Sequence, residues 1–305
     1  MPLTPNPNSD SNSGLTPDAL RNPDATLGEL RGAIREALAP KYGEREATAM
    51  ARVILTTLKG WELPLLLANE QRTAGQAITA RCADIVGQLL RDVPLQYALG
   101  QTTFYGLKLK VGPGVLIPRP ETEELVDLIV KENLQPDLRV LDLCTGSGAI
   151  AVALARNLPF SKVTAVDVSP SAIAYARENA ATLKTSVELK EADVFSLSLP
   201  PEEFDIIVSN PPYVCESEKS GMDPNVLSYE PSLALFVPDD DPLRFYHRIA
   251  TMAADALKTG GRLYFEINPL HATELRSMLE AEGFGEVELI KDVHGKQRFA
   301  KAVKR

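Results

Sequence analysis

Apolar positions along the chain follow two periods, and the change comes near residue 95. Between residues 26 and 93 they recur at steps of three and four. Leu27, Leu30, Ile34 and Leu38 share one helical face. Thr26 and Glu29 have the spacing of a capping box at its start, and Pro40 is the expected stop. Ala47, Met50, Ala51, Ile54 and Leu58 form a second stripe, with Gly60 suited to its C-terminal end. Ile78, Cys82, Ile85 and Leu89 form a third, ended by Pro94. Trp61 and the run Leu65-Leu66-Leu67 fit between them. The pattern predicts a small helical bundle over residues 26–94, with Cys82 an inert core thiol.

The period then shortens. Leu107, Leu109 and Val111 alternate with Lys108 and Lys110 among glycines 106, 112 and 114, which predicts a β-hairpin linking two domains over residues 95–118. The lysines read as a solvated strand face. A helix follows, with Pro120 near its start and acidic residues in its first turn, where the macrodipole favours them. From Arg139 the runs VLDL, VTAVD, SVELK, FDIIVS, RLYFEI and VELIK are short and β-branched, with helical patterns between most of them. That alternation predicts an α/β domain over residues 119–305 around a mostly parallel sheet. The last two runs, 287–291 and 297–302, are separated only by a turn with Gly295, so they form an antiparallel hairpin.

Composition changes this picture little and charge changes it more. The 305 residues are 44% hydrophobic and 24% charged, ordinary for two globular domains. Net charge is −9, from 32 basic and 41 acidic residues, which makes a poor generic binder of nucleic acid or anionic membrane. Cys82, Cys144 and Cys215 are too few for a disulfide framework and form no CxxC, which points to a reducing, cytoplasmic compartment. No apolar run is long enough for a bilayer span. Residues 1–25 read as a Pro/Asn/Ser-rich disordered tail rather than a secretory signal. His247, His271 and His294 lack the spacing of a metal site, so no metal is expected. His247 is expected to pack or cap.

Two stretches carry chemistry. In Val140-Leu-Asp-Leu-Cys-Thr-Gly-Ser-Gly-Ala-Ile-Ala151 a strand meets a small-residue turn and a helix start. Such a turn lets the backbone approach a ligand and offers free N–H groups. Asp167 ends the next strand, where a carboxylate accepts both ribose hydroxyls of a nucleoside cofactor. The pattern also fits a dinucleotide. Asp142, inside the first strand, favours S-adenosylmethionine (SAM): it repels a pyrophosphate and suits a cationic amino-acid end, directly or through the loop. The antiparallel final hairpin agrees. Asp193 is placed to accept an adenine amino proton with Val194 and Phe195 against the ring; a turn-forming aspartate is the equal alternative.

The second stretch is Phe204-Asp-Ile-Ile-Val-Ser-Asn-Pro-Pro-Tyr213. An apolar strand runs into Asn210-Pro211-Pro212-Tyr213 at the C-terminal edge of the sheet. Two prolines stiffen the turn and fix the Asn210 side-chain oxygen and the Pro211 carbonyl as convergent acceptors for a planar NH2 group, with Tyr213 as a stacking face. Holding both hydrogens exposes the lone pair of an amide or exocyclic amino nitrogen to a methyl donor, and in-line positioning supplies much of the rest. Three readings follow: methylation of a protein glutamine, methylation of a nucleic-acid amino group, and an NAD-dependent oxidoreductase, for which no proton-relay residue is visible. A non-catalytic binding module stands behind these.

At these residues the chain resembles the class I SAM-dependent methyltransferases. More narrowly it resembles the HemK family, the glutamine N5-methyltransferases of peptide chain release factors. The likeness runs from about residue 26 onward. Beyond the NPPY run it includes Ile117-Pro-Arg119-Pro120-Glu121-Thr-Glu123, Thr145-Gly146-Ser-Gly148-Ala-Ile150-Ala151, Glu230-Pro231-Ser-Leu-Ala234-Leu235 and Gly295-Lys-Gln-Arg298. The related family that modifies a ribosomal-protein glutamine shares NPPY but usually lacks the PETE continuation. The resemblance implies a helical substrate-gripping domain, a hairpin linker and a Rossmann-like catalytic domain, with the glutamine of a release factor Gly-Gly-Gln loop as substrate. It implies that Cys144, Thr145, Gly146, Ser147, Gly148 and Asp167 contact SAM and that Val194 lies beside its adenine. Asn210 touches both SAM and glutamine; Pro211, Pro212 and Tyr213 complete the glutamine pocket, and Arg119 closes the site near the methionine end. A monomer without direct nucleic-acid contact is expected. The chain departs from the family pattern at Cys144, usually glycine, at Val194, usually a larger aromatic, and at FEINPLH, usually richer in glycine and glutamine. The segment 214–241 either covers the substrate or is an ordinary surface loop.

Overall fold

The computed structural model describes residues 20–305. Two compact units result, one ending at Leu99 and one running from Gly100 to Arg305.

The first unit is helical: α1 (Leu27–Tyr42), α2 (Glu44–Lys59), α3 (Leu63–Ala68), α4 (Gln76–Leu90) and α5 (Leu95–Leu99). The capping box forms in both directions. Thr26 N donates to Glu29 Oε2 at 2.8 Å, and Glu29 N donates to Thr26 Oγ1 at 3.2 Å. Pro40 does not stop α1, which continues to Tyr42. A proline in the last turn removes a single backbone donor, and the helix ends instead at Gly43, whose φ of +81° suits glycine. The predicted stripes meet in one core with Leu30, Ile34, Ile54 and Ile85 fully buried. Burial pushes the Cys82 thiol up to about 12, which keeps it inert. The expected tail is shorter than its predicted end at residue 25. Leu20 is 1% exposed in the bundle core, and Ala74 N donates to Ala25 O at 2.8 Å. Residues 1–19 of that tail lie outside the described residues.

The second unit opens with the antiparallel hairpin β1 (Gln101–Phe104) and β2 (Leu107–Lys110). Phe104 and Leu109 are buried in the same core as α6 (Pro120–Glu132), so the hairpin packs as part of this unit. The chain then alternates: β3 (Arg139–Leu143), α7 (Ala149–Asn157), β4 (Lys162–Asp167), α8 (Pro170–Thr182), β5 (Val187–Glu191), β6 (Phe204–Ser209). After β6 come β7 (Val214–Cys215), α9 (Pro224–Tyr229) and β8 (Phe236–Val237), with β7 and β8 paired in parallel. Helix α10 (Arg244–Ala256), β9 (Leu257–Glu266), α11 (Ala272–Ala281), β10 (Phe284–Lys291) and β11 (Gln297–Lys304) complete it.

Seven strands form one sheet in the order β10-β11-β9-β6-β3-β4-β5. The pairs β3–β4, β4–β5, β3–β6 and β6–β9 are parallel; β11 pairs antiparallel with both β9 and β10. The mostly parallel α/β sheet with an antiparallel terminal hairpin is therefore present. Its two faces are both covered. Leu141, Leu143 and Phe265 point into one apolar core, Val140, Val208 and Tyr264 into the other. That is why these strands read as continuous apolar runs. The chain winds outward from β3 to β5 and returns at β6 on the other side of β3. The crevice at the C-terminal ends of β3 and β6 is thus the topological switch point, where ligands of open α/β sheets bind.

Among the described residues, no helix is long and apolar enough to cross a membrane. His247 neither packs nor caps: its side chain is 63% exposed and faces Glu282 at 3.1 Å.

Candidate active site

The crevice at the switch point is a cavity walled by the turn after β3, the ends of β4 and β5, the start of the segment after β6, and residues 114–122 ahead of and within α6. The sequence-predicted residues Arg119, Cys144, Thr145, Gly146, Ser147, Asp167, Asp193, Val194, Asn210 and Pro212 all line it. Gly148, Pro211 and Tyr213 are not among the lining residues.

The turn after β3 is held from below. Asp142 is fully buried and does not reach the cavity; its Oδ2 accepts from Thr145 Oγ1 at 2.6 Å and from Ala151 N at 3.1 Å. Of the two routes expected for Asp142, burial closes the direct one, and its contacts are with the loop. Its Oδ1 has no hydrogen-bond partner, and burial raises the carboxyl to about 7. Gly148 caps α7 in the left-handed region at φ +78°, and a Cβ there would stand 3.0 Å from the Cβ of Ala176, so glycine is required for the turn to sit on α8. Asn179, 2% exposed, donates to Ser147 O at 2.9 Å and to Lys110 O at 3.0 Å, fixing the turn to β2. Cys144 adopts φ +60°, a left-handed conformation that disfavours a side chain. Glycine adopts this conformation without that penalty. Burial raises the Cys144 thiol, which stays protonated.

Asp167 ends β4 with Oδ2 accepting from Gly146 N at 2.8 Å and Oδ1 accepting from Ser169 N at 2.9 Å. Each carboxylate oxygen accepts a second bond, so capacity remains for a ribose diol. Asp193 Oδ1 accepts from Phe195 N at 2.9 Å, the expected turn bond, and Asp193 also lines the cavity. Val194 is 6% exposed against the cavity. Phe195 is absent from the wall and packs against Phe245 at 5.0 Å between ring centroids. It is Phe245, from α10, that supplies the aromatic face, a residue the sequence reading missed because it lies 50 positions downstream in an amphipathic helix. An apolar slot beside Asp193 and a spare diol acceptor at Asp167 fit a nucleoside cofactor such as SAM.

The opposite wall carries the NPPY run. Ser209 Oγ donates to Leu143 O at 2.6 Å and ties the end of β6 to the end of β3. Asn210 Nδ2 donates to Thr122 Oγ1 at 3.4 Å, and Thr122 Oγ1 donates to Glu266 Oε2 at 2.6 Å. Tyr213 OH donates to Glu266 Oε1 at 3.0 Å. Glu266 is 1% exposed at the end of β9, and burial raises its carboxyl, opposed by bonds from Thr122 and Tyr213 and by the charge of Arg298. Tyr213 stays protonated, its phenol raised by burial and by Glu266. Thr122 and Glu266 were missed. The signals were a hydroxyl between two glutamates in PETE and a lone carboxylate in an apolar strand.

The mouth is clamped by Glu230, whose side chain is 1% exposed. Its Oε1 accepts from Arg119 Nη2 at 2.7 Å and its Oε2 from Ile117 N at 3.0 Å. Arg119 is thereby held at the rim, and Pro231, Leu233 and Ala234 from the segment after β6 close over the same cavity.

The family profile described as methyltransferase small domain matches residues 122–223. A release factor glutamine methyltransferase of Bacteroides thetaiotaomicron is 44% identical over 278 residues, covering 90% of this chain and 99% of its own. One from Streptococcus pneumoniae is 53% identical over 241 residues, covering 79% of this chain and 85% of its own. A solved methyltransferase structure from Pyrococcus furiosus covers 72% of this chain and 96% of its own at 21% identity and a TM-score of 0.49.

Proposed function

The chain belongs to the release factor glutamine methyltransferase family, and from that premise we propose that it transfers a methyl group from SAM to the side-chain nitrogen (N5) of the glutamine in the Gly-Gly-Gln motif of a peptide chain release factor. The observation that carries this reading is the placing of Asn210 on the wall opposite the Asp167 turn, with its amide anchored on Thr122.

SAM, when bound, supplies an electrophilic methyl on a sulfonium. Residues 144–148 and Asp167 would hold its amino-acid and ribose parts, and Asp193, Val194 and Phe245 its adenine. Asn210 Oδ1 and the Pro211 carbonyl accept the two amide hydrogens of the substrate glutamine. An amide lone pair is delocalised into its carbonyl. Fixing both hydrogens orients the nitrogen and exposes the pair. Pro212 keeps the turn rigid, and Tyr213, held by Glu266, backs the glutamine pocket. Arg119 and Glu230 keep the rim closed against water. The methylated nitrogen is cationic and acidic, so its proton leaves to solvent without a basic side chain.

A monomer acting in the cytoplasm goes with this reading, and the net charge of −9 favours protein over nucleic acid as the substrate. Labelled SAM, the enzyme and purified release factor, ribosomal proteins and RNA are mixed in parallel. Label in release factor alone is expected. Label in a ribosomal protein or in RNA would overturn the substrate assignment.

A further inference from the structure

Asn210 has two ends, an acceptor oxygen and a donor NH2, and only the oxygen suits a substrate NH2 group. What decides which end faces the cavity lies two side chains away. Glu266 in its ionised form is acceptor-only, and it takes the hydroxyl proton of Thr122 at 2.6 Å. A hydroxyl has one hydrogen. With that hydrogen committed to a carboxylate, Thr122 Oγ1 can only accept from Asn210, and Asn210 Nδ2 stands 3.4 Å away. The NH2 of Asn210 is thereby drawn to Thr122, and Oδ1 is left for the cavity.

We propose that Glu266 is a positioning residue that acts through Thr122 to set the amide orientation of Asn210, so that the oxygen meets the substrate nitrogen's hydrogens. The inference rests on Asn210 being the acceptor described above. The relay works in the ionised form: Thr122 from α6 and Tyr213 from the segment after β6 both donate to the carboxylate and Arg298 from β11 adds positive charge, while burial and Glu121 on α6 raise its carboxyl. A protonated or amide side chain at this position donates to Thr122 instead. Thr122 then turns its own proton to Asn210 Oδ1, and the NH2 swings into the cavity.

The test compares wild type with Thr122→Val, Thr122→Ser and Glu266→Gln, each as full chain with SAM and release factor. Thr122→Val keeps the shape and removes the relay; kcat is expected to fall about tenfold with KM for release factor little changed. Thr122→Ser restores the hydroxyl and is expected to recover to within about threefold of wild type. Glu266→Gln inverts the preference and is expected to lose roughly 10²-fold in kcat. In wild type kcat falls on the acid side as Glu266 protonates, and Thr122→Val lacks that limb. Nitrogen-15 NMR of the Asn210 side-chain amide reads the relay without activity: its signal is expected to shift in Thr122→Val and return in Thr122→Ser. An unshifted signal, or Thr122→Ser losing kcat as fully as Thr122→Val, would overturn the relay. The NMR pattern across these variants, with release factor left unmethylated by wild type, would overturn the substrate reading and leave the relay standing.

Discussion

The helical bundle and the C-terminal edge of the sheet treat buried polar atoms in opposite ways. Among the described residues of the bundle, the buried polar side chain is Thr79, which donates into its own helix at Gln76 O, 3.0 Å away. Around the sheet edge Asp142, Thr145, Ser147, Ser209, Glu266 and Asn268 are all buried. Burying such groups costs several kcal/mol unless each finds a partner. The bundle is built to fold, and its stripes serve only its core. The sheet edge accepts carboxylates in the interior, bonded to Thr145, Thr122 and Tyr213, because a site that orients an amide needs fixed acceptors. Where polar burial concentrates, chemistry follows.

Substitutions on the two sides therefore differ in kind. The largest effect is expected for Asn210→Ala, which removes the acceptor: methyl transfer falls by roughly 10³-fold while thermal stability moves little. Next comes Ile54→Ala in the bundle, where the side chain is fully buried. It is expected to cost about 3 kcal/mol in chemical denaturation and to leave the SAM affinity of the folded protein unchanged. Loss of SAM binding in that variant would break the contrast. Asp142 offers a pH test. Its carboxyl rises from 3.8 to about 7 on folding, so across that window the folded state holds a proton the unfolded state has lost. This group's contribution therefore makes stability fall as pH climbs from about 4 to 7 and level off above. Unfolding free energies for wild type minus Asp142→Asn are expected to trace that slope, and a flat difference would refute it. The smallest effect is at Cys144, held at φ +60°. Cys144→Gly is expected to raise stability by about 1 kcal/mol in a thermal melt.

The same contrast explains what was legible in the sequence. Apolar period is a one-dimensional signal, so Leu30, Ile34 and Ile54 announced the bundle core, and the runs of β3, β4 and β6 announced the sheet. The cavity wall from Cys144 to Ser147, with Asp167 and Asn210, was legible because a turn and a strand end fix where those residues go. Three features were not. Pro40 sits in a last helical turn, where a missing donor does little harm. Leu20 joins the bundle core from a stretch whose composition reads as tail. Phe245, Glu230, Thr122 and Glu266 reach the site from α10, the segment after β6, α6 and β9, and only tertiary packing brings them together.

The central claim is that Asn210 presents an acceptor to one glutamine nitrogen. Peptide mass spectrometry of release factor, incubated with SAM and either wild type or Asn210→Ala, measures it directly. One added methyl on the Gly-Gly-Gln glutamine with wild type, and none with the variant, is the expected result. An unmodified glutamine with a wild-type protein that binds SAM, or equal modification by Asn210→Ala, would contradict the account.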